Sequence, residues 1–404
     1  RLIAERKFDE ALKVVKEEIA LPLILGYICP APCENACRRS QAEAAVSICE
    51  LKKMVADEDL KSEDDYLPRK KKASGKKVAI IGSGPAGLTA AYHLLIQGHQ
   101  AIIFDQNKKA GGSLRYDIPE EKLPKEALDA EIKTIAKLGA EFRMNTQVDP
   151  DFLEKEILSH YDAIVFASGN FSDSNMHSFG FEKNQYGLLT EKGTFEVKPG
   201  IYACGNVMRS RKMAVTSVAQ DKQVAVSVDH YLKGASPKKI YRMFNSRFGK
   251  LKTEEVEEYL KESPAAERVE LKKEAQVLSK NQVVEEAKRC MHCDCRKPHT
   301  CKLRLYSDAY GADRRKFLFG ERKTLKKQMQ HELIIYEPEK CIRCNLCVEI
   351  SALQKESLGF TSIGRGYNVE INIPFHKNMK DIFDQTAMDC ANACPTGAIS
   401  LKSK

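Results

Sequence analysis

Residues 76–105 read KKVAIIGSGPAGLTAAYHLLIQGHQAIIFD, and this stretch decides the fold. A buried-strand pattern over 78–81 leads into a glycine-rich turn, a helical pattern over 88–97 follows, and a second strand over 101–104 ends in Asp105. This is a strand–turn–helix–strand unit with G-x-G-x-x-G at its first turn and an acidic residue after its second strand. The pattern predicts a dinucleotide-binding site rather than an ordinary glycine turn.

Each glycine of the turn has its own role in such a site. Gly82 permits the tight turn, Gly84 lets the backbone approach a pyrophosphate, and Gly87 lets the helix pack closely on the strand. The helix N-terminus then presents N–H groups and its positive dipole end to the phosphates. We expect the carboxylate after the second strand to accept a hydrogen bond from a ribose hydroxyl. The predicted cofactor contacts of this unit are Gly82, Gly84, Pro85, Ala86, Gly87 and Asp105.

The composition sets broad limits on the protein. A chain of 404 residues is long enough for two or three domains, and its net charge is +9. The densest basic runs, 69–77 and 314–327, favour solvated linkers over docking on an acidic partner, and nucleic acid ranks last because no aromatic-studded basic motif accompanies them. Neither a membrane-length apolar stretch nor a signal peptide is visible, so we predict a cytoplasmic protein without a membrane span.

The fourteen cysteines are the most informative part of the composition. All except Cys204 fall into three groups of four or five, separated by long stretches without cysteine. A chain of this size stabilises itself through its core and does not need disulfides in such tight clusters. The pattern therefore predicts metal or iron–sulfur ligation in a reducing compartment, and Cys204 is interpreted as a small buried core residue.

The first cysteine set lies in CPAPCENAC, residues 29–37. No histidine lies nearby to complete a zinc site, and the close spacing suits one [4Fe–4S] cluster better. A cysteine upstream of the sequence is an alternative fourth ligand to the one that follows the motif. The predicted ligands are Cys29, Cys33, Cys37 and Cys49.

Four stretches together resemble the small-subunit family of bacterial glutamate synthase: CPAPCENACRR, VSICELKKMVAD, GSGPAGLTAAYHL and GGSLRYDIPEEKLPKEALDAEI. That family passes electrons from a pyridine nucleotide to FAD and on to iron–sulfur clusters. The resemblance implies that the dinucleotide is FAD and that residues 111–115 form a second FAD stretch. Residues 162–169 and 199–207 resemble two further FAD strands, and the helix after the second strand points its N-terminus at the flavin. The implied contacts are Gly111, Gly112, Leu114, Arg115, Ala167, Gly169, Gly205, Asn206, Ala214 and Val215.

Three departures from the family pattern stand out. Asp105 occupies a position where many relatives have Glu, and Asn206 replaces the usual Asp, so no charge is added near the FAD at that point. Relatives also insert a second dinucleotide domain for NAD(P)H between the two later FAD strands. Only about thirty residues separate Gly169 from Gly200, and none carries a nucleotide fingerprint. The chain is therefore predicted to hold FAD without a nicotinamide domain.

The second cysteine set has the spacing C-x2-C-x-C-x5-C. Four thiols within twelve residues most simply close another iron–sulfur cluster, although His292 and His299 leave zinc as an alternative. The predicted ligands are Cys290, Cys293, Cys295 and Cys301.

The third set resembles bacterial ferredoxins, in which C-x2-C-x2-C and a distant Cys-Pro close one cubane. Ser351, Asp384 and Ala387 stand at ligand positions of a second cubane and leave Cys390 alone, so that cluster is predicted to be lost. The segment 359–375 is expected to form a hairpin or small sheet over the remaining cluster. The predicted ligands are Cys341, Cys344, Cys347 and Cys394.

These patterns predict an α/β FAD-binding Rossmann-like domain with an N-terminal helical Fe–S domain and a C-terminal α+β ferredoxin-like domain. The predicted boundaries are 1–67 for the helical Fe–S domain, 76–235 for the FAD domain, 236–310 for a helical connector with the second cysteine set, and 311–404 for the ferredoxin-like domain. No Ser–His–Asp set, activated nucleophile or pair of catalytic carboxylates is evident, so no catalytic side chain is predicted.

The favoured function is an FAD and iron–sulfur electron-transfer subunit of a larger oxidoreductase with about three [4Fe–4S] clusters. Its expected partners are other subunits of that complex, with ferredoxin or a nucleotide-oxidising subunit among them. Two alternatives remain: a stand-alone NAD(P)H:acceptor oxidoreductase, and a non-redox scaffold that keeps a degenerate FAD fold.

Overall fold

The computed structural model describes residues 1–62, 65–208, 214–235, 244–245, 249–263, 265–271, 277–313, 324–376 and 378–402. Contacts within the chain define two compact units. The first contains Arg1–Cys37, Ala45–Tyr241 and Arg268–Lys288, and the second contains Arg38–Ala44, Arg242–Glu267 and Arg289–Lys404. The N-terminal helical segment and the dinucleotide-binding segment thus share one unit, while the second and third cysteine sets share the other.

The described helices are α1 Phe8–Glu18, α2 Pro22–Ile28, α3 Pro32–Asn35, α4 Ile48–Lys61, α5 Pro85–Ile96, α6 Ser113–Tyr116, α7 Lys125–Lys137, α8 Pro150–Phe152, α9 Asp173–Ser178, α10 Ala214–Leu232, α11 Thr253–Leu260, α12 Lys280–Lys288, α13 Lys302–Ala309, α14 Leu346–Leu353 and α15 Asp384–Ala393. The described strands are β1 Lys77–Ile81, β2 Gln100–Phe104, β3 Glu141–Arg143, β4 Ala163–Phe166, β5 Lys183–Asn184, β6 Gly187–Leu188, β7 Glu196–Lys198, β8 Ile201–Ala203, β9 Ile334–Tyr336, β10 Thr361–Ile363, β11 Glu370–Asn372 and β12 Ile399–Leu401.

A six-stranded sheet forms the centre of the first unit, in the order β3-β2-β1-β4-β8-β7. All neighbours are parallel except β7, which runs antiparallel to β8 at the edge. Ile80 of β1 lies beside Ile103 of β2 and Val165 of β4. These strands are apolar on both faces because helices or loops cover the two sides of a parallel sheet. The predicted strand–turn–helix–strand unit is confirmed in this sheet.

The two faces of the sheet bury different cores. Val78 and Ile80 point to the side that packs against α5 and α10, whereas Ala79 and Ile81 point to an aromatic cluster around Phe166. This alternation follows from the two-residue period of a strand. Packing on both faces holds β1, β4 and β8 in place and so positions the loops that follow them.

The connection from β4 to β8, residues 167–200, is described throughout and is short. It contains the six-residue helix α9, the two-stranded pair β5–β6 and the edge strand β7. A dinucleotide-binding βαβ unit alone needs roughly 30 residues with two parallel strands around a helix. This connection contains no such unit among its described residues.

Buried polar contacts hold the N-terminal helices to one another and to α7 of the first unit. The Lys16 ammonium on α1 is buried, pairs with Asp59 on α4 and donates to the Tyr66 carbonyl at 2.8 Å. Glu131 on α7 accepts from the backbone N–H groups of Leu23 at 2.7 Å and Ile24 at 3.0 Å. Because these N–H groups belong to the first turn of α2, Glu131 caps the helix that leads directly into Cys29.

The second unit contains two small antiparallel pairs, β9–β12 and β10–β11, with α14 and α15. Tyr336, Phe360 and Ile371 lie in its core. The β10–β11 pair confirms the hairpin predicted for 359–375. Of the second basic run, residues 314–323 fall outside the described residues. In the described part of the chain, no helix has both the length and the apolar composition needed to cross a membrane.

Candidate functional site

Three loops, which follow β1, β2 and β8, converge at the carboxyl ends of the parallel strands, where open α/β sheets bind their ligands. Gly82 has a φ of +110°, and a methyl group there would lie 2.4 Å from the Ala167 carbonyl oxygen. A methyl group on Gly87 would lie 1.9 Å from the Gly82 carbonyl oxygen. The first glycine therefore needs a backbone conformation that favours glycine, and the third lets α5 approach the turn closely.

Gly84 differs from these two glycines. Its φ of −73° and ψ of −176° are open to any residue, and a methyl group there would meet only Gly112 Cα, at 3.9 Å. No backbone requirement explains a glycine at this position. The space beside it is the cradle that a pyrophosphate needs at the N-terminus of α5.

The second and third loops close around the same helix end. The Gly111 N–H donates to the Ser83 carbonyl at 3.0 Å, and a methyl group on Gly112 would lie 2.7 Å from Gly84 Cα. Gly205 has a φ of +73°, and its added methyl group would lie 2.8 Å from Ala86 Cβ. The predicted FAD stretches are thus in contact around one crevice, and the glycines that line it fit a flavin dinucleotide.

Other predicted contacts support the crevice from outside. Leu114 is buried, and Arg115 donates to the Ala110 carbonyl at 2.6 Å and pairs with Asp129 on α7. Gly169 follows β4 with a φ of +76°, and Asn206 follows Gly205 in a short helical turn after β8. Ala214 and Val215 begin α10, but their side chains lie outside the described residues, as does all of Met213.

Asp105 lies where the ribose acceptor was predicted, directly after β2. Its Oδ2 atom accepts from the Ser83 N–H at 2.7 Å and the Ser83 hydroxyl at 2.6 Å. Its Oδ1 atom accepts from the Asn107 N–H at 2.8 Å and the Asn107 side-chain amide at 2.9 Å. The carboxylate thus fixes the glycine loop, a role that the sequence did not reveal.

Cys204 is completely buried at the end of β8, as its core interpretation expects. No sequence pattern indicated Asp221 on α10, whose buried carboxyl lies against this thiol. Burial raises the pKa of both groups well above their ordinary values, and the Asp221 carboxyl further raises that of Cys204. The Cys204 thiol therefore stays protonated at neutral pH, which makes it a poor nucleophile.

The first cysteine set lies between α2 and α4. Cys29 ends α2, Cys33 lies in α3, and Cys49 lies in the first turn of α4. Burial, followed by the nearby thiols of Cys29 and Cys33, raises the pKa of Cys49 to about 12, with Lys52 opposing the shift. The structure thus brings these three thiols together, and Cys37 follows α3 in the same loop.

Glu34 holds the first cysteine loop in place. Its carboxylate accepts from the Cys49 N–H at 2.9 Å and from the Arg268 guanidinium at 2.7 Å. Arg268 also donates to the Ala45 carbonyl at 3.1 Å. Since 234 residues separate the two partners, no sequence pattern announces this pair.

The third cysteine set surrounds one cavity. All four predicted cysteines line it together with apolar side chains that include Ile342, Leu346 and Ile371. The Arg343 N–H donates to Cys341 Sγ at 3.4 Å, and the Ile399 N–H donates to Cys394 Sγ at 3.5 Å. Such N–H···S bonds stabilise thiolates and raise the potential of a bound cluster. The donors and the cavity fit a cubane.

Burial and the surrounding thiols of Cys341, Cys394 and Cys344 raise the pKa of Cys347 to about 12. Ligation therefore has to displace protons from the set. In the described residues, no three His, Cys, Asp or Glu side chains are arranged around a single metal ion. A cubane instead binds each thiolate to a different iron.

The positions of a second ferredoxin-type cluster are filled by core packing. Ser351 Oγ accepts from the Phe360 N–H at 3.0 Å, and the Cys390 thiol faces the Cys347 carbonyl at 3.6 Å. Ala387 is fully buried between α14 and the sheet, while Asp384 is exposed on the surface. These side chains leave one thiol where a cubane needs four.

The second cysteine set lies between α12 and α13, with Cys301 immediately before α13. His292 adopts a left-handed φ of +46°. The buried guanidinium of Arg289 anchors the start of the loop, donating to the Ala266 carbonyl at 2.9 Å and the Ala44 carbonyl at 2.6 Å. The loop is therefore fixed before its first cysteine.

A hydrogen-bonded Ser–His–Asp set lies at the end of the sheet opposite the crevice, although the sequence did not show one. Ser74 Oγ lies 2.7 Å from His99 Nδ1, and His99 Nε2 lies 2.9 Å from Asp229. The two ring nitrogens have the reverse of the roles they take in a serine protease triad. Ser74 also donates to the Gly98 carbonyl at 3.2 Å. These hydrogen bonds anchor the basic linker to the domain and do not form an activated nucleophile.

Comparisons with known proteins match two parts of the chain. Residues 1–64 match the family model "Dihydroprymidine dehydrogenase domain II, 4Fe-4S cluster", and residues 69–222 match "Pyridine nucleotide-disulphide oxidoreductase". The chain contains an N-terminal Fe–S domain and an FAD-binding domain with a mixed, mostly parallel sheet. The C-terminal cysteine sets lie beyond both matches.

Curated relatives agree with this division. The "NADP(+)-dependent formate dehydrogenase subunit beta" of Moorella thermoacetica is 34% identical over 46% of this chain and 29% of its own length. The "Glutamate synthase [NADPH] small chain" of Bacillus subtilis is 36% identical over 42% of this chain and 34% of its own length. The chain thus covers about a third of each relative. These matches confirm the resemblance to the glutamate synthase small-subunit family.

Among solved structures, the atypical thioredoxin reductase TRi from Desulfovibrio vulgaris Hildenborough is 14% identical, with a TM-score of 0.28. The match covers 40% of this chain and all of that one.

Proposed function

We propose that this chain is an FAD- and iron–sulfur-containing electron-transfer subunit of a multi-subunit oxidoreductase. The connection between β4 and β8 carries the proposal. It joins two strands of the FAD-type sheet through a small helix and short strands, without a second dinucleotide-binding unit. A protein that holds a flavin but lacks a nicotinamide domain needs another source or acceptor for its electrons.

The residues that hold the FAD are those of the crevice at the end of the parallel strands. The cradle beside Gly84 and the N-terminus of α5 bind the pyrophosphate. Gly112 and Gly205 keep the backbone close enough to cover the cofactor, while Asp105 fixes the first loop. When bound, FAD supplies the conversion between two-electron and one-electron chemistry.

Three [4Fe–4S] clusters accompany the flavin in this proposal. The first belongs to the N-terminal domain on Cys29, Cys33, Cys37 and Cys49, and the third to a ferredoxin-like C-terminal module on Cys341, Cys344, Cys347 and Cys394. The second belongs on Cys290, Cys293, Cys295 and Cys301. The protein contributes burial, N–H···S bonds and fixed loops, which together set the potentials of such clusters.

The partners are the other subunits of a cytoplasmic complex, one of which carries the substrate site or the nucleotide site. Two relatives support this organisation because their names describe them as subunits: the formate dehydrogenase subunit from Moorella and the "NADPH-Fe(3+) oxidoreductase subunit beta" of Geobacter sulfurreducens. The second is 32% identical over 46% of this chain and 28% of its own length.

An anaerobic reduction experiment tests the proposal. The purified chain is mixed with NADH or NADPH, and flavin bleaching is followed by absorbance, with dithionite as the positive control. We expect dithionite to bleach the flavin and both nucleotides to leave it oxidised over the same period. Prompt bleaching by either nucleotide would instead identify the chain as a stand-alone NAD(P)H oxidoreductase, and colourless, iron-free native protein would identify a scaffold.

A further inference from the structure

The second and third cysteine sets lie against each other within the second unit. The Lys302 N–H donates to the Pro395 carbonyl at 2.8 Å. Each of these residues directly follows a predicted ligand, Cys301 in one set and Cys394 in the other. A methyl group on Gly397 would also lie 3.4 Å from Cys295 Sγ. The two loops are therefore packed in direct contact.

Lys297 lies at this contact and belongs to the second loop. Its ammonium donates to the Cys394 carbonyl at 2.9 Å and to the Ala391 carbonyl at the end of α15. Burial lowers the pKa of this ammonium, and the nearby thiols of Cys394, Cys301 and Cys295 oppose that shift. One side chain thus contacts the backbone of one set and lies near sulfurs of both.

The charge of Lys297 has no carboxylate partner within the described residues. The neighbouring guanidinium of Arg296 pairs with Glu262 at 3.2 Å, and Lys327 pairs with the same carboxylate at 2.6 Å. Lys297 instead donates to two neutral carbonyls and is half-buried. Its positive charge therefore lies at the contact between the two cysteine loops and is less screened than that of a fully exposed side chain.

We infer that Lys297 is a positioning residue that locks the second cysteine set onto the third and holds one uncompensated positive charge between them. The inference rests on the proposed function, because it requires iron–sulfur clusters at these cysteines. Exchange between the sets is the loss of one electron by one cluster and its gain by the other, with no bond made or broken. A positive charge beside both clusters stabilises their reduced forms and raises both reduction potentials.

Substitution of Lys297 tests the charge directly. In Lys297→Met, the reduced-to-oxidised ratio of the third cluster at a fixed ambient potential should fall on the order of tenfold, which corresponds to 59 mV for a one-electron couple. Lys297→Arg keeps the charge and should stay within about twofold of the wild type. Lys302→Met is the matched control, because it removes an exposed ammonium from the first residue of α13, next to the same loop, and should change the ratio less than about twofold. The ratios are measured by EPR during a redox titration of the full chain.

Contrary results are easy to recognise. An unchanged ratio in Lys297→Met with full iron content, or an equal fall in Lys302→Met, would overturn the inference. If Lys297→Met does not assemble its clusters, the wild type still provides a test. With both sets reduced, spin–spin interaction should broaden or split the EPR signals of the two clusters, and two independent signals would overturn the adjacency.

Failure of the proposed function has a different signature. Zinc or no metal at the second set would remove the predicted three-cluster relay. The effect of Lys297→Met on the third cluster alone would then still support or refute the role assigned to its charge.

Discussion

Two alanine substitutions one turn apart separate the binding role of a glycine from its folding role. In Gly84→Ala, the new methyl group meets no protein atom closer than 3.9 Å, and the backbone is already extended. The apo protein should therefore keep its stability to within about 1 kcal/mol, the usual cost of changing an N-cap residue. In Gly87→Ala, the methyl group would lie 1.9 Å from a backbone oxygen, so α5 has to move away from the turn.

One variant should mainly lose FAD affinity, and the other should mainly lose folding stability. The added methyl of Gly84→Ala occupies the cradle that the pyrophosphate enters, and an overpacking cost of about 1–3 kcal/mol weakens FAD binding by roughly ten- to a hundredfold. Gly87→Ala should lose a similar amount or more from its folding free energy, since the clash exists without any ligand.

The assay combines FAD titration of the apoprotein, followed by flavin fluorescence, with urea unfolding of the same apoprotein. We expect Gly84→Ala to lose affinity at nearly constant stability and Gly87→Ala to lose stability first. Wild-type FAD affinity in Gly84→Ala would refute the assignment of this crevice to the flavin pyrophosphate.

Three further predictions concern the scaffold around the sites. Burial raises the pKa of Glu131 from 4.5 to about 7 in the folded protein. The stabilising contribution of the protonated carboxyl is therefore complete below pH 4.5 and is lost as the pH rises through about 7. The free energy of unfolding measured with urea should fall over this window by up to about 3 kcal/mol, and Glu131→Gln should flatten the profile. Lys16→Met leaves Asp59 buried without its cation and should lower the free energy of unfolding in urea by about 3–5 kcal/mol. Lys16→Met combined with Asp59→Leu should recover much of that loss. If the double variant recovers nothing, the unpaired Asp59 carboxylate is not the cause of the lost stability. Glu34→Gln removes the charge that pairs with Arg268 and should lower the free energy of unfolding by about 1–3 kcal/mol. It should also lower the amount of iron that the first cysteine set retains during dialysis. The control Glu120→Gln affects an exposed pair with Lys125 and should change neither quantity.

The sequence predicted the parts of the structure that depend on local pattern. The glycines, the strand periodicity and the spacing of the cysteines located the crevice, the sheet and the third cavity, because each depends on residues close together in the chain. The short β4–β8 connection was also predictable, since the number of residues between the two strands can be counted in the sequence.

Long-range polar contacts were not predictable. Glu34 with Arg268, Glu131 with the start of α2, and Ser74 with His99 and Asp229 join residues that only the fold brings together. Lys297 was one lysine among many until the structure placed it beside Cys394. The ribose role predicted for Asp105 was based on its position after β2, whereas its contacts with Ser83 and Asn107 depend on loop geometry that sequence spacing does not encode.

Cofactor stoichiometry tests most directly whether one flavin and three cubanes share this chain. Iron, acid-labile sulfide, zinc and flavin are measured on chain purified without oxygen. We predict one FAD with about twelve irons and about twelve sulfides per chain, and no zinc. About eight irons with one zinc would contradict the assignment of the second set, and protein without flavin or iron would contradict the account as a whole.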